Sequence, residues 1–171
     1  MTDRVIEIVR RTTAAPAVVW AVLSGLDQWQ EWLPTVTSSR REGAAGPIGP
    51  GTAYVLDQPR LPRTRWVVTD WHPGTSFTWR SRRPGVGSTA DHIVTATEDG
   101  GSTITLRMTW SGPLAGLTAM LYGAMTRKYL DLEARALAER VQATSGQGPT
   151  SDTGSGKGSG KGSDKGSGTA A

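Results

Sequence analysis

The sequence predicts an α+β domain in which a curved, seven-stranded antiparallel sheet wraps around one long C-terminal helix. Three observations carry that prediction. Residues 102–111 alternate strictly: Ile104, Leu106, Met108 and Trp110 fall on one face, Thr103, Thr105, Arg107 and Thr109 on the other. Such alternation belongs to a sheet with one buried and one wet side. Just before it, Glu98-Asp99-Gly100-Gly101 is a strong hairpin turn. From Pro113 to about Ala143 the period then changes to helical spacing, giving a helix of roughly 45 Å, long enough to cross a whole domain.

The remaining elements follow from local chemistry. Residues 4–12 are rich in β-branched side chains and read as a first strand. Pro16 suits the first turn of a helix, where its missing N–H costs nothing. Val19, Trp20 and Leu23 give that helix an apolar side, and Gly25 ends it. Asp27 is the expected N-cap of a second short helix, which Pro34 closes. Strands are expected at 36–41, 52–58, 63–71 and 76–82, with a Gly/Pro loop from Gly43 to Gly51 and a His72-Pro73-Gly74 turn. Residues 90–97 pair with 102–111, and the register places His92, Val94 and Ala96 on the buried face. On the long helix Leu114, Leu117, Leu121 and Met125 form an early apolar stripe, continued by Leu130, Ala134, Leu137 and Val141. Arg127, Lys128, Asp131, Glu133, Arg135, Glu139 and Arg140 mostly cover the other side.

Composition narrows the function classes. The 171 residues carry a formal charge of +4 but no Lys/Arg run of the length a dedicated nucleic-acid site requires. Residues 1–144 read as one domain. The Gly/Ser/Lys tract at 145–171 has no apolar face to bury and is expected to be a disordered tail, with weak attraction to anionic surfaces as its one partner property. Cysteine is absent, so there is no disulfide framework and no thiolate nucleophile. No segment has the apolar length of a bilayer span, and a cytoplasmic setting is the default expectation. Gly46 to Gly51 is broken by prolines and not followed by a helix, so it is no phosphate loop, and two histidines without matching carboxylate spacing make no metal site. No cofactor is expected.

The order of elements resembles the polyketide cyclase/dehydrase and lipid-transport superfamily, the START-like or SRPBCC domains. The residues that carry the resemblance are Ala15-Pro16-x-x-Val19-Trp20, Trp29-x-x-Trp32-x-Pro34, Val68-Thr69-Asp70-Trp71 leading to Pro73, Asp99-Gly100-Gly101-Ser102-Thr103 and the amphipathic last helix. It spans roughly residues 3–143. The resemblance implies a helix-grip fold: the sheet grips the long helix and leaves a cavity for a hydrophobic or amphipathic small molecule such as a lipid, quinone or polyketide-like compound. Because such folds host enzymes and non-enzymes alike, a polyketide aromatase/cyclase or dehydratase acting on the enclosed molecule is the alternative.

The candidate cavity residues are chosen within that frame. Seven tryptophans against one phenylalanine suit a wall that stacks on flat ligands, and equally a well-filled core. Trp20 and Trp29 are assigned to seating the small helices. Trp32, Trp66, Trp79 and Trp110 are assigned to the cavity, with Tyr54, Met108, Leu121, Tyr122 and Met125. Trp66 and Trp71 differ by five positions and should face opposite sides of a regular strand. His92 is the candidate catalytic acid–base group, or else a hydrogen-bonded wall residue. Asp70 shares the inward parity of Trp66 and Val68, so it must find an arginine or lie on a bulged strand. Arg80 and Arg107 should face water, with Arg65 left open.

Overall fold

The structure, a computed structural model, describes residues 3–146. The tail expected at 145–171 therefore lies almost wholly outside the described residues. Seven antiparallel strands form one sheet in the order β1-β7-β6-β5-β4-β3-β2, so every neighbour except the β1–β7 pair is also a neighbour in sequence. Strand β1 (Arg4–Thr12) leads to helix α1 (Pro16–Leu23), a tight helical turn (Leu26–Gln28) and helix α2 (Trp29–Trp32). The meander continues through β2 (Ser38–Glu42), β3 (Ala53–Asp57), β4 (Thr64–His72), β5 (Ser76–Arg83), β6 (Val86–Ala96) and β7 (Ser102–Ser111). Helix α3 (Ala115–Gly146) then closes the concave side, two residues beyond the expected domain limit.

Local chemistry explains most boundaries. Pro16 opens α1, and α2 stops at Leu33, whose extended backbone is what a residue before proline prefers. Asp27 is not the cap the sequence suggested: it lies inside the tight turn, and α2 has no side-chain cap. At the hairpin, Gly100 takes a φ of 81°, a left-handed conformation that glycine adopts without strain. Gly101 is required for a different reason, since a Cβ there would sit 2.5 Å from the Thr12 carbonyl oxygen. Ser102 ties the same corner down by donating to the Ala14 carbonyl at 2.7 Å.

Strand β4 departs from regular alternation. Its pairing with β5 shifts register between Val68 and Asp70, a β-bulge. The extra residue turns Asp70 out to solvent, so no carboxylate is buried there. It also brings Trp71 back to the inner side, against the parity rule: Trp71 packs on Trp20 at 5.2 Å and Phe77 at 5.5 Å while Trp66 stays buried. Arg65 and Arg80 are exposed, and Arg65 pairs with Glu42 at 2.7 Å. Ala96, expected inside with His92 and Val94, is exposed because β6 has reached the rim of the sheet.

The largest fully buried side chains (Trp29, Tyr54, Phe77, Leu23, Leu26 and Leu33 among them) mark a core built between the α1–α2 segment and the sheet. The C-terminal half of α3 completes it through Leu130, Ala134, Leu137 and Val141, as the periodicity predicted. The N-terminal half does not. Leu114, Leu117 and Leu121 are 44%, 48% and 62% exposed, so the early apolar stripe faces outward. No helix among the described residues is long and apolar enough to cross a membrane.

Candidate functional site

A cavity of about 190 Å³ lies between the sheet and α3. Its walls come from inward positions of β3 to β7 and from one face of the helix. The sheet contributes Leu56, Trp66, Trp79, Ala90, Met108 and Trp110; the helix contributes Thr118, Tyr122, Thr126, Tyr129, Leu130 and Glu133. The helical set recurs at intervals of three and four, so it is a single face. It lies one residue on from Leu117, Leu121 and Met125, a rotation of about 100°. That offset is why Leu121 and Met125 are absent from the wall. The face turned to the cavity is rich in hydroxyls rather than in leucine.

The aromatic wall is continuous. Trp66 and Trp79 stack at 5.4 Å with 25° between their planes, while Trp29 meets Trp79 edge-on at 5.2 Å. Trp29 also donates from Nε1 to the Leu23 carbonyl at 3.0 Å, which fixes its ring. It thus seats the small helices and lines the cavity at once. Trp32 packs behind it at 6.2 Å and does not reach the cavity wall.

Two polar side chains meet at the inner end. His92 on β6 is 3% exposed and Glu133 on α3 is 7% exposed. Nε2 of the one lies 3.2 Å from Oε1 of the other. The contact has ion-pair distance but not the direction of a hydrogen bond: Glu133 Oε1 and His92 Nδ1 have no hydrogen-bond partner among the described residues. The imidazole is held by rings instead, stacked on Phe77 at 4.2 Å and flanked by Trp29 and Trp79. At the outer end the wall includes Pro62 and Arg83, both exposed. There the β3–β4 loop is tied twice. Tyr129 donates its hydroxyl to the Pro59 carbonyl, and Arg83 donates to the Arg63 carbonyl at 2.9 Å and to Thr64 Oγ1 at 3.2 Å.

A sheet gripping a long helix over such a cavity invites comparison with known proteins. Residues 4–145 match the family described as polyketide cyclase / dehydrase and lipid transport. The chain belongs to this family. No curated protein matches it at the sequence level. Among solved structures, the di-domain aromatase/cyclase StfQ of the steffimycin biosynthetic pathway superimposes with a TM-score of 0.69 at 16% identity over 84% of this chain. The match takes in 52% of that protein, so this chain spans about half its length. The Zhui aromatase/cyclase from a Streptomyces species gives 0.68 at 13% identity, covering 84% of this chain and 96% of that one. Norcoclaurine synthase from Thalictrum flavum, solved with dopamine and hydroxybenzaldehyde, gives 0.66 at 15% identity, covering 83% and 88%. At these identities the likeness is one of fold.

Within this polyketide cyclase/dehydrase domain, six of the ten residues assigned to the cavity from sequence line it: Trp66, Trp79, His92, Met108, Trp110 and Tyr122. The other four, Trp32, Tyr54, Leu121 and Met125, do not. Tyr54 does point inward on β3, yet it is completely buried beneath the segment that carries Asp27. Burial first, then the Asp27 charge, push its hydroxyl up to about 12, with Arg41 opposing. Glu133 is the residue sequence reasoning missed. On an amphipathic helix a glutamate reads as solvent face, and only its position three residues after Leu130 and one before Ala134 hinted otherwise.

Proposed function

We propose that this domain binds a compact hydrophobic or amphipathic molecule in the cavity between the sheet and α3. The observation that carries the reading is the cavity itself, about 190 Å³ bounded by stacked tryptophans with a polar pair at its inner end. Sites for drug-sized ligands usually enclose about 300–1,000 Å³, so a ring system of one or two fused rings fits better than a long acyl chain. The wall works by apolar burial and by ring-on-ring stacking, each stacked pair adding about 0.5–1.5 kcal/mol beyond the area effect.

Menadione, a two-ring quinone, is a suitable probe because the wall tryptophans report its arrival. Its titration should quench tryptophan fluorescence saturably at one equivalent, and palmitate should bind more weakly. Ala90 is buried on the cavity wall. Ala90→Phe, which fills the space, should remove the saturable phase in a protein that remains folded by circular dichroism. Linear, non-saturating quenching, or unchanged binding in the filled variant, would overturn the reading.

A second reading is favoured by one specific observation, the His92–Glu133 pair. A carboxylate and an imidazole 3.2 Å apart can share the work of taking and returning a proton at a carbon beside a ligand carbonyl. That chemistry is what a cyclase or dehydratase needs. It predicts faster deuterium exchange at the activated methylene of a bound β-dicarbonyl, followed by NMR, and loss of that acceleration in His92→Phe. Equal exchange in the two proteins would reduce His92 to a wall residue.

A further inference from the structure

We propose that the inner end of the cavity selects ligands that carry a protonated amine, and that Glu133 is the residue that does so. The inference rests on the cavity being a binding site and adds the charge of its ligand.

The argument begins with what Glu133 lacks. It lines the cavity at 7% exposure, and its Oε1 has no hydrogen-bond partner among the described residues. A buried carboxylate oxygen in that state is costly, and the cost is recovered when a donor arrives. His92 does not fill the role, because its Nε2 approaches to 3.2 Å without hydrogen-bond alignment. Nor is the ring set up to act as a full counter-cation. Nδ1 on its other edge is buried with no partner. A proton on that nitrogen would be one more orphaned buried donor, which counts against the ring serving as the carboxylate's counter-cation.

The other cation on the wall is too far away to compensate. Arg83 stands at the outer end of the cavity, where it is committed to the Arg63 carbonyl and Thr64 Oγ1. Val86 pairs with Arg83, and His92 lies six residue steps along β6 from Val86, about 20 Å at the usual rise. The inner end therefore offers an unpartnered carboxylate oxygen, that of Glu133, to a ligand donor. Around it are the rings of Trp29 and Trp79, with centroids 5.5 and 5.6 Å from that of His92. A desolvated carboxylate beside aromatic rings is the recognised chemistry for an organic ammonium, which gains a charge-assisted hydrogen bond and, where it meets a ring face, cation–π attraction. A carboxylate-bearing ligand would meet repulsion in the same place.

Three probes of one shape test this by isothermal titration calorimetry on the full chain: 2-(1-naphthyl)ethylamine, 2-(1-naphthyl)ethanol and 1-naphthylacetic acid. The amine should bind at least about tenfold more tightly than the alcohol, and the acid more weakly than either. Glu133→Gln, checked for folding by circular dichroism, should erase the amine preference, bringing the amine and the alcohol to within about twofold of each other. An alcohol that binds as well as the amine, or an amine preference that survives in Glu133→Gln, would overturn the charge assignment while leaving the cavity reading intact. Failure of all three probes to bind would overturn both. The wild-type series decides the matter even if Glu133→Gln does not fold.

Discussion

Tyr54 has no exposed surface, and desolvation first, then the charge and hydroxyl contact of Asp27, have moved its hydroxyl up to about 12. Its ordinary value in an unfolded chain is about 10. A group whose acid is weakened by folding supports the folded state fully below its unfolded value and withdraws that support as pH rises through the folded one. Stability is therefore expected to fall between about pH 10 and 12 through this residue. Tyr54→Phe should flatten that alkaline decline and, at neutral pH, leave the melting temperature unchanged or raise it by the equivalent of up to about 1 kcal/mol. Thermal denaturation of the two proteins across pH 7–11.5 measures both effects. A large loss at neutral pH in Tyr54→Phe would mean that the contact with Asp27 is a strong hydrogen bond. His92 and Glu133 show the opposite use of a buried polar group, with unmet hydrogen-bonding capacity turned toward a cavity rather than sealed away from it.

Helix α3 changes character along its length. In its second half the leucine stripe is the buried face, whereas in its first half the leucines point out and threonine and tyrosine point in. Leu137→Ala should cost about 2–5 kcal/mol, the range for emptying a packed site. Leu121→Ala should stay within about 0.5 kcal/mol, as for other surface positions. Urea denaturation of the pair distinguishes this arrangement from a uniformly buried stripe, for which the two losses would be comparable. The contrast also shows what was legible beforehand. Strands, turns and the hairpin register could be read because alternation and Gly/Pro chemistry are local signals, and β1 and β7 come out at the expected limits. The helix face could not, because two stripes 100° apart fit the same residues and the more apolar one is not the one a ligand cavity needs. The bulge at Val68–Asp70 left only an indirect trace, a carboxylate at a parity where none could be buried alone. Glu133 left almost none.

At the scale of the whole molecule, the family's architecture divides labour between two ends. Toward the α1–α2 segment the space under the sheet is filled by Trp29, Phe77, Leu23 and Leu26, and rigidity follows from interlocked rings. Between strands β3–β7 and α3 the space is left open as the cavity. Fold and container were readable from the order of elements. The proposed character of the guest rests on side chains that meet from β6 and α3, about forty residues apart in sequence, and no local pattern announces such a meeting.

The two ties across the β3–β4 loop give this container a clock as well as a shape. If a guest enters beside Pro62, it is expected to wait for the Tyr129–Pro59 hydrogen bond and the Arg83 contacts to open. Those bonds are remade once it is inside, so they govern how fast exchange occurs without favouring the loaded or the empty state. Tyr129→Phe should therefore raise the association and dissociation rates of menadione by a similar factor, leaving the equilibrium constant nearly unchanged in stopped-flow fluorescence. A change confined to the dissociation rate would mean that the Tyr129 hydroxyl, and not only its ring in the cavity wall, contacts the guest. If the rates do move together, the residence time of the guest is set by a latch of two side chains, and a carrier could be made to hold or release its cargo without altering how strongly the cavity prefers it.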